Sequence, residues 1–161
     1  MSLAIRSSSA SSLGSPTSTS LGGYASNAAP SGSTNGFYDA ITTADADAHD
    51  VEYRCLLIYN DGVYAVDSVT VAIINQLSGG ATIAIATNAA SAAAVASYNS
   101  GTIANENTAP TVTTSWGTSL SIGTLNAGQV RHFWLRRTAL GDKAVSGDYV
   151  NLRITGTENI P

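Results

Sequence analysis

The sequence predicts an all-β fold, a two-sheet antiparallel β-sandwich with an extended N-terminal arm. Short runs rich in β-branched and aromatic residues recur from Val51 to Thr157, and turn signals built from Gly, Asn and Asp separate them. No long amphipathic helical stretch interrupts that rhythm. With 161 residues the chain is long enough for one good core, since roughly 70% of the unfolded surface is buried at this size.

Residues 1–36 are dominated by Ser, Ala, Gly, Thr and Asn, and Pro16 and Pro30 interrupt any regular element. Such a segment cannot build a core of its own. Its spaced apolar side chains, Leu3, Ile5, Leu13, Leu21 and Tyr24, are candidate anchors. The segment therefore reads as an assembly arm whose order comes from contacts outside the chain's own core, with a floppy tail as the alternative and 37–161 as the sandwich domain.

The run VEYRCLLIYN, from Val51 to the turn signal Asn60-Asp61-Gly62, is the clearest strand. Tyr53, Cys55, Leu57 and Tyr59 share one face, while Leu56 and Ile58 add apolar character to the other, the pattern of a central strand covered on both sides. DSVTVAIINQ reads as its partner and stops before Ser78-Gly79-Gly80. ATIAIAT at 81–87 alternates again, and the alanines of 88–101 allow a short helix as an alternative to strand. PTVTTSW to Trp116, SLSIGTL, QVRHFWLRRTA after the turn Asn126-Ala127-Gly128, and YVNLRITGT supply the remaining strands.

Phe133 and Leu135 are expected to point inward, and His132, Trp134 and Arg136 the other way. The expected core is Tyr53, Cys55, Leu57, Val69, Val71, Ile73, Phe133, Leu135, Val150, Leu152 and Ile154. Seven or eight short strands at this spacing suit an Ig-like or jelly-roll-like arrangement.

Charged residues make up 11% of the chain, against about 25% in an ordinary soluble domain. The outside must be largely neutral, so charge repulsion does little to keep neighbouring subunits apart, and the composition suits an assembly component forming a homo-oligomer. A net charge of −4 with seven Lys plus Arg cannot furnish the phosphate contacts of a nucleic-acid binder. The late cluster of Arg131, Arg136 and Arg137, with Trp134 among them, is a candidate subunit-contacting surface. No run of about 18 apolar residues exists to cross a membrane, and MSLAIRSSSASSLGS lacks the apolar core of a signal peptide, so the chain is expected to be soluble where it is made.

DADAHD at 45–50 is the most chemical-looking segment, because Asp45, Asp47, His49 and Asp50 could gather around a divalent ion. It lacks the later glycine and bidentate glutamate of a calcium loop, and reads as a polar turn before the strong strand. His49 and His132 are the whole supply of imidazole, and neither sits in a catalytic motif. Cys55, the single cysteine, lies within an apolar strand, so no intramolecular disulfide can form and the thiol reads as a small buried hydrophobe. No enzyme activity, metal or cofactor is expected. Trp116 and Trp134 could form an aromatic platform for a sugar, which makes a carbohydrate-binding module one alternative.

Four segments taken in order, TSLGGYASN, FYDAITTADADAHDVEYRCLLIYND, LNAGQVRHFWLRRTA and VNLRITGT, resemble a group of tailed-bacteriophage virion structural proteins. His49 stands where those sequences carry a glycine. The resemblance implies a virion component with a sandwich fold, assembled in the host cytoplasm. Its first implied role is capsid decoration, in which a small β-rich body with a flexible arm bridges subunits of the major capsid protein. A tail, baseplate or fibre-adaptor protein, using the same body in a trimer or other ring, is the alternative.

Overall fold

The computed structural model describes residues 3–9, 21–25, 38, 41–77, 80–88, 92–141 and 149–161. Among these lie ten strands and one short helix: β1 (Leu3–Ser9), β2 (Gly22–Ala25), α1 (Thr43–Ala48), β3 (Val51–Asn60), β4 (Val66–Leu77), β5 (Ala81–Ala86), β6 (Ala93–Ala94), β7 (Asn99–Thr102), β8 (Ser119–Leu125), β9 (Gln129–Ala139) and β10 (Tyr149–Glu158). They form two antiparallel sheets. The larger runs β5-β9-β3-β1-β2-β7, with β6 also on β9, and is strongly curled; the smaller runs β10-β4-β8.

The β3–β9 ladder is the spine, unbroken from Val51 opposite Thr138 to Tyr59 opposite Val130. Opposed residues of an antiparallel pair point to the same side, so this register sorts the side chains into two faces. Glu52, Arg54, Leu56 and Ile58 share one face with Arg137, Leu135, Phe133 and Arg131; Tyr53, Cys55, Leu57 and Tyr59 share the other with Arg136, Trp134, His132 and Val130.

The main core lies between the sheets. Leu56, Ile58, Phe133, Leu135 and Ile85 of the larger sheet meet Val66, Val69, Val71, Leu120, Ile122 and Leu125 of the smaller, with Ile73, Leu152 and Ile154 packed at its margin. The expected core is thus right for the residues of β4 and for Phe133, Leu135, Leu152 and Ile154, but it takes the wrong face of β3. Leu56 and Ile58, not Tyr53, Cys55 and Leu57, face the second sheet. β3 is apolar on both sides, so alternation alone could not choose, whereas pairing Leu56 with Phe133 does. Leu57 is still fully buried, in a second cluster with Ala25, Tyr98 and Val130 that the curl of the larger sheet closes.

The arm also departs from expectation. β1 pairs with β3, Ile5 opposite Ile58, and Leu3 and Ile5 pack on the chain's own core. β2 then joins β1 to β7. β3 needs a second edge partner, and alternating Leu3 and Ile5 match its core-facing side. Buried Ser8 accepts the Gly22 N–H at 3.0 Å, so serine serves here as a hydrogen-bonding filler. Leu13 lies outside the described residues.

Two further expectations fail for local reasons. The alanine-rich stretch is not helical where described: Ala93 and Ala94 pair with Val130 and Gln129, and a turn leads to β7. Residues 110–116 are irregular, held where the Thr113 and Thr114 N–H groups donate to Thr87 O. Gly117 bridges to Ile85 of the larger sheet while Thr118 O accepts from Ile73 of the smaller, so this segment stitches the two sheets at a corner.

The central strand β4 shifts register around Ser68, which adopts φ 52°, and Gly156 of β10 crosses that irregularity. A Cβ on Gly156 would lie 2.5 Å from Val66 Cγ1. Gly156→Ala is therefore expected to cost about 1–3 kcal/mol in urea denaturation, the range for overpacking a core, and a change inside about 0.5 kcal/mol would contradict this packing. Deleting residues 1–9 strips β1 from β3 and should cost at least about 2 kcal/mol from lost apolar burial alone. An unshifted denaturation midpoint would return those residues to an arm ordered elsewhere.

Candidate functional site

Because both faces of the β3–β9 ladder are covered, every polar group on it must find a partner or go without. On the curled side, the Tyr98 hydroxyl accepts the His132 backbone N–H at 2.9 Å and contacts His132 Nδ1 closely. The other ring nitrogen, Nε2, is buried with no hydrogen-bond partner among the described residues. Trp134 meets this ring edge-on at 6.3 Å. Burial first, and Arg131 second, push the imidazole down to about 4.

Cys55 is adjacent but separate. Its Sγ lies 3.6 Å from Ser100 Oγ, which also accepts the Gly23 N–H at 2.9 Å, and burial pushes the thiol up to about 12. A thiol so held is a packing group with negligible thiolate at neutral pH.

The opposite face carries an ionic cluster near the start of β3. Glu52 pairs with Arg137 and Arg54 with Glu106, and the two guanidinium carbons lie 4.6 Å (Arg137) and 5.0 Å (Arg54) from the Tyr38 ring centroid. Burial raises the Glu52 carboxyl against the lowering pull of Arg137. Arg131 donates to Ile122 O and to Asn88 O. Arg136 lies across the ladder, its guanidinium carbon 5.0 Å from the Trp116 centroid, and Trp116 in turn sits 5.7 Å from Tyr53.

Of the candidate surface residues, Arg131 and Arg137 are thus engaged within the chain, and Trp134 is only 2% exposed. Trp134 contributes to a shallow cleft of about 130 Å³, lined also by Asn88, Ser100, Thr102, Pro110 and Thr111, but its ring face is not laid open as a sugar platform requires. Among the arm residues, Leu21 O accepts the Ile103 N–H at 3.0 Å and Tyr24 stands opposite Ser9 and Asn99.

The first four residues of DADAHD belong to the short helix α1 where a turn is expected, with His49 and Asp50 following it. Thr42 and Asp45 make a reciprocal capping box, with Asp45 Oδ2 accepting the Thr42 N–H at 2.7 Å, and His49 closes the helix in the left-handed conformation at φ 53°. Hydrogen bonds from Thr42 hold the Asp45 carboxyl below its usual range. Asp50 accepts from the Asn107 amide. Capping and loop closure thus occupy two of the four would-be ligands, and among the described residues no group of three or more His, Cys, Asp or Glu converges on a metal-sized point. The Thr-x-x-Asp spacing was the sequence signal for this helix.

Comparison of the chain with known protein families, curated proteins and solved structures finds no match.

The buried imidazole gives a pH dependence whose sign follows from proton counts. Between about pH 6.5 and 4 the unfolded chain binds a proton at His132 that the folded chain refuses, so stability falls as pH falls through that window. The loss should approach roughly 3 kcal/mol by pH 4. Urea midpoints measured across the window should show it in the parent and not in His132→Leu; parallel curves would mean the imidazole titrates freely.

Proposed function

We propose that this chain is a non-enzymatic structural subunit of a tailed-phage virion, its two sheets forming a sandwich that packs against copies of itself and against a larger shell. Capsid decoration is the first role, and a tail, baseplate or fibre-adaptor position the second. The observation that carries a packing role is the outer face of the β10-β4-β8 sheet. There Thr70 stands between Ser121 and Thr155, its hydroxyl 2.7 Å from that of Thr155, while Asn75 faces Asn151. Apart from the exposed Arg153 opposite Ala72, these are short neutral side chains, which lose little conformational freedom and little charge solvation when a second protein covers them.

Exposed apolar side chains point the same way. Ile74 (52% exposed) and Tyr149 (47%) border this sheet, Val63 (80%) tops the turn after β3, and Ile160 lies near the C-terminus. β10 pairs with β4 and ends its sheet, a position from which a neighbour's strand can extend the ladder. The resemblance of the four segments to virion proteins is what ties such packing to a phage particle.

Quantitative mass spectrometry of purified particles is the test. A fixed ratio to the major capsid protein is the expected result, and a few copies per particle would move the chain to the tail. Absence from particles would end the virion reading.

A further inference from the structure

Arg136 is the arginine of β9 whose side chain finds neither an anion nor a carbonyl acceptor among the described residues, whereas Arg137 pairs with Glu52 and Arg131 donates to carbonyls. Its Nε is buried without a partner while the side chain as a whole stays partly exposed. The guanidinium carbon lies 5.0 Å from the Trp116 ring centroid, and Tyr53 lies against the indole at 5.7 Å. A guanidinium held against an indole loses rotamer freedom in the free chain and keeps paired N–H donors for a carboxylate. Arg, Trp and Tyr are also the residues enriched at the energetic centres of protein interfaces.

A complementary group exists on the same chain. The turn after β3 carries Asp61 beside Val63 and Tyr64, the last 38% exposed. Asn60 braces this turn, its Oδ1 accepting the Gly62 N–H at 3.0 Å and its amide donating to Tyr64 O and Leu125 O, both at 2.9 Å. Asp61 takes no part in that bracing and has no hydrogen bond or ion pair among the described residues. The turn is thus a fixed projection ending in one carboxylate and two uncovered apolar side chains.

Building on the reading of this chain as a self-packing subunit, we propose that the turn Asp61–Tyr64 of one copy docks on the Arg136–Trp116–Tyr53 cluster of the next. The Asp61 carboxylate takes the guanidinium edge, and Val63 and Tyr64 cover the neighbouring aromatic surface. Tyr53 and Asp61 lie toward opposite ends of β3, roughly 25 Å apart at the rise of a strand. Donor and acceptor patches are therefore separate, and the contact is head-to-tail, the kind that closes into a ring when its rotation allows.

Sedimentation equilibrium of the full chain at about 50 mM and about 500 mM salt reads the contact, since an ion pair at its centre weakens with screening. The parent should assemble, more tightly at low salt. Arg136→Gln and Asp61→Asn should each weaken assembly about tenfold or more, and Arg136→Glu combined with Asp61→Lys should restore it. Asp61 lies in an exposed turn, so Asp61→Asn keeps the test open even if a change at Arg136 disturbs folding. Assembly indifferent to both single changes, or not rescued by the exchange, overturns this contact while leaving self-packing intact. A parent that stays monomeric at about 100 µM, an affinity weaker than that of a specific complex, removes both.

Discussion

The pairing of β3 with β9 is the constraint on which the rest depends. Both strands carry apolar side chains on both faces, so a sheet covered on one side would leave Leu57, Val130 and Trp134 in water. At about 25 cal/mol per Å² of apolar surface, that exposure would cost roughly 10 kcal/mol, comparable with the whole net stability of an ordinary domain. The second sheet covers Leu56, Ile58, Phe133 and Leu135, and the larger sheet curls through β1, β2 and β7 to close over the other side.

Double coverage dictates the fate of the polar groups in the ladder. Glu52 and Arg137, opposed in register, neutralise each other, and Arg54 reaches Glu106 on a loop whose own backbone accepts the Tyr53 N–H at 2.7 Å. Burial and the neighbouring Arg131 keep His132 neutral, with the Tyr98 hydroxyl at its Nδ1, and Arg131 ends on backbone carbonyls. Arg136 departs from this pattern, lying against Trp116 with neither an anion nor a hydrogen-bond acceptor among the described residues. A half-satisfied arginine is costly inside a fold, which is the ground for the proposed contact with a second copy.

The strands β3, β4, β5, β8, β9 and β10 were legible because each is a bounded run of β-branched and aromatic residues. The face of β3 was not, since period-two alternation carries no sign when both faces are apolar, and only the cross-strand partner supplies it. β1 and β2 were hidden for the opposite reason. Ser, Ala and Gly give almost no hydropathy contrast, so LAIRSSS reads as tail although it fills a sheet position. Arg136 was legible as part of a basic cluster, but what distinguishes it from Arg131 and Arg137 is the partner each finds in three dimensions.

The small-residue composition of β2 is a packing requirement rather than a sign of disorder. Gly22 has φ +90°, and a Cβ there would fall 2.1 Å from Gly101 O and 3.0 Å from the Trp134 ring, so only glycine lets β2 approach β7 and the indole this closely. Ser8 and Ser100 then supply, in little space, acceptors for the Gly22 and Gly23 N–H groups. The same economy governs much of the outer face of the smaller sheet, where the Thr70 and Thr155 hydroxyls meet across strands and Arg153, opposite Ala72, is an exposed charge among short neutral side chains. A surface with so few charges, if it packs against a second copy as proposed, would depend on those few for register. Arg136 and Asp61 are the proposed points, because most of the other described charges find partners within the chain.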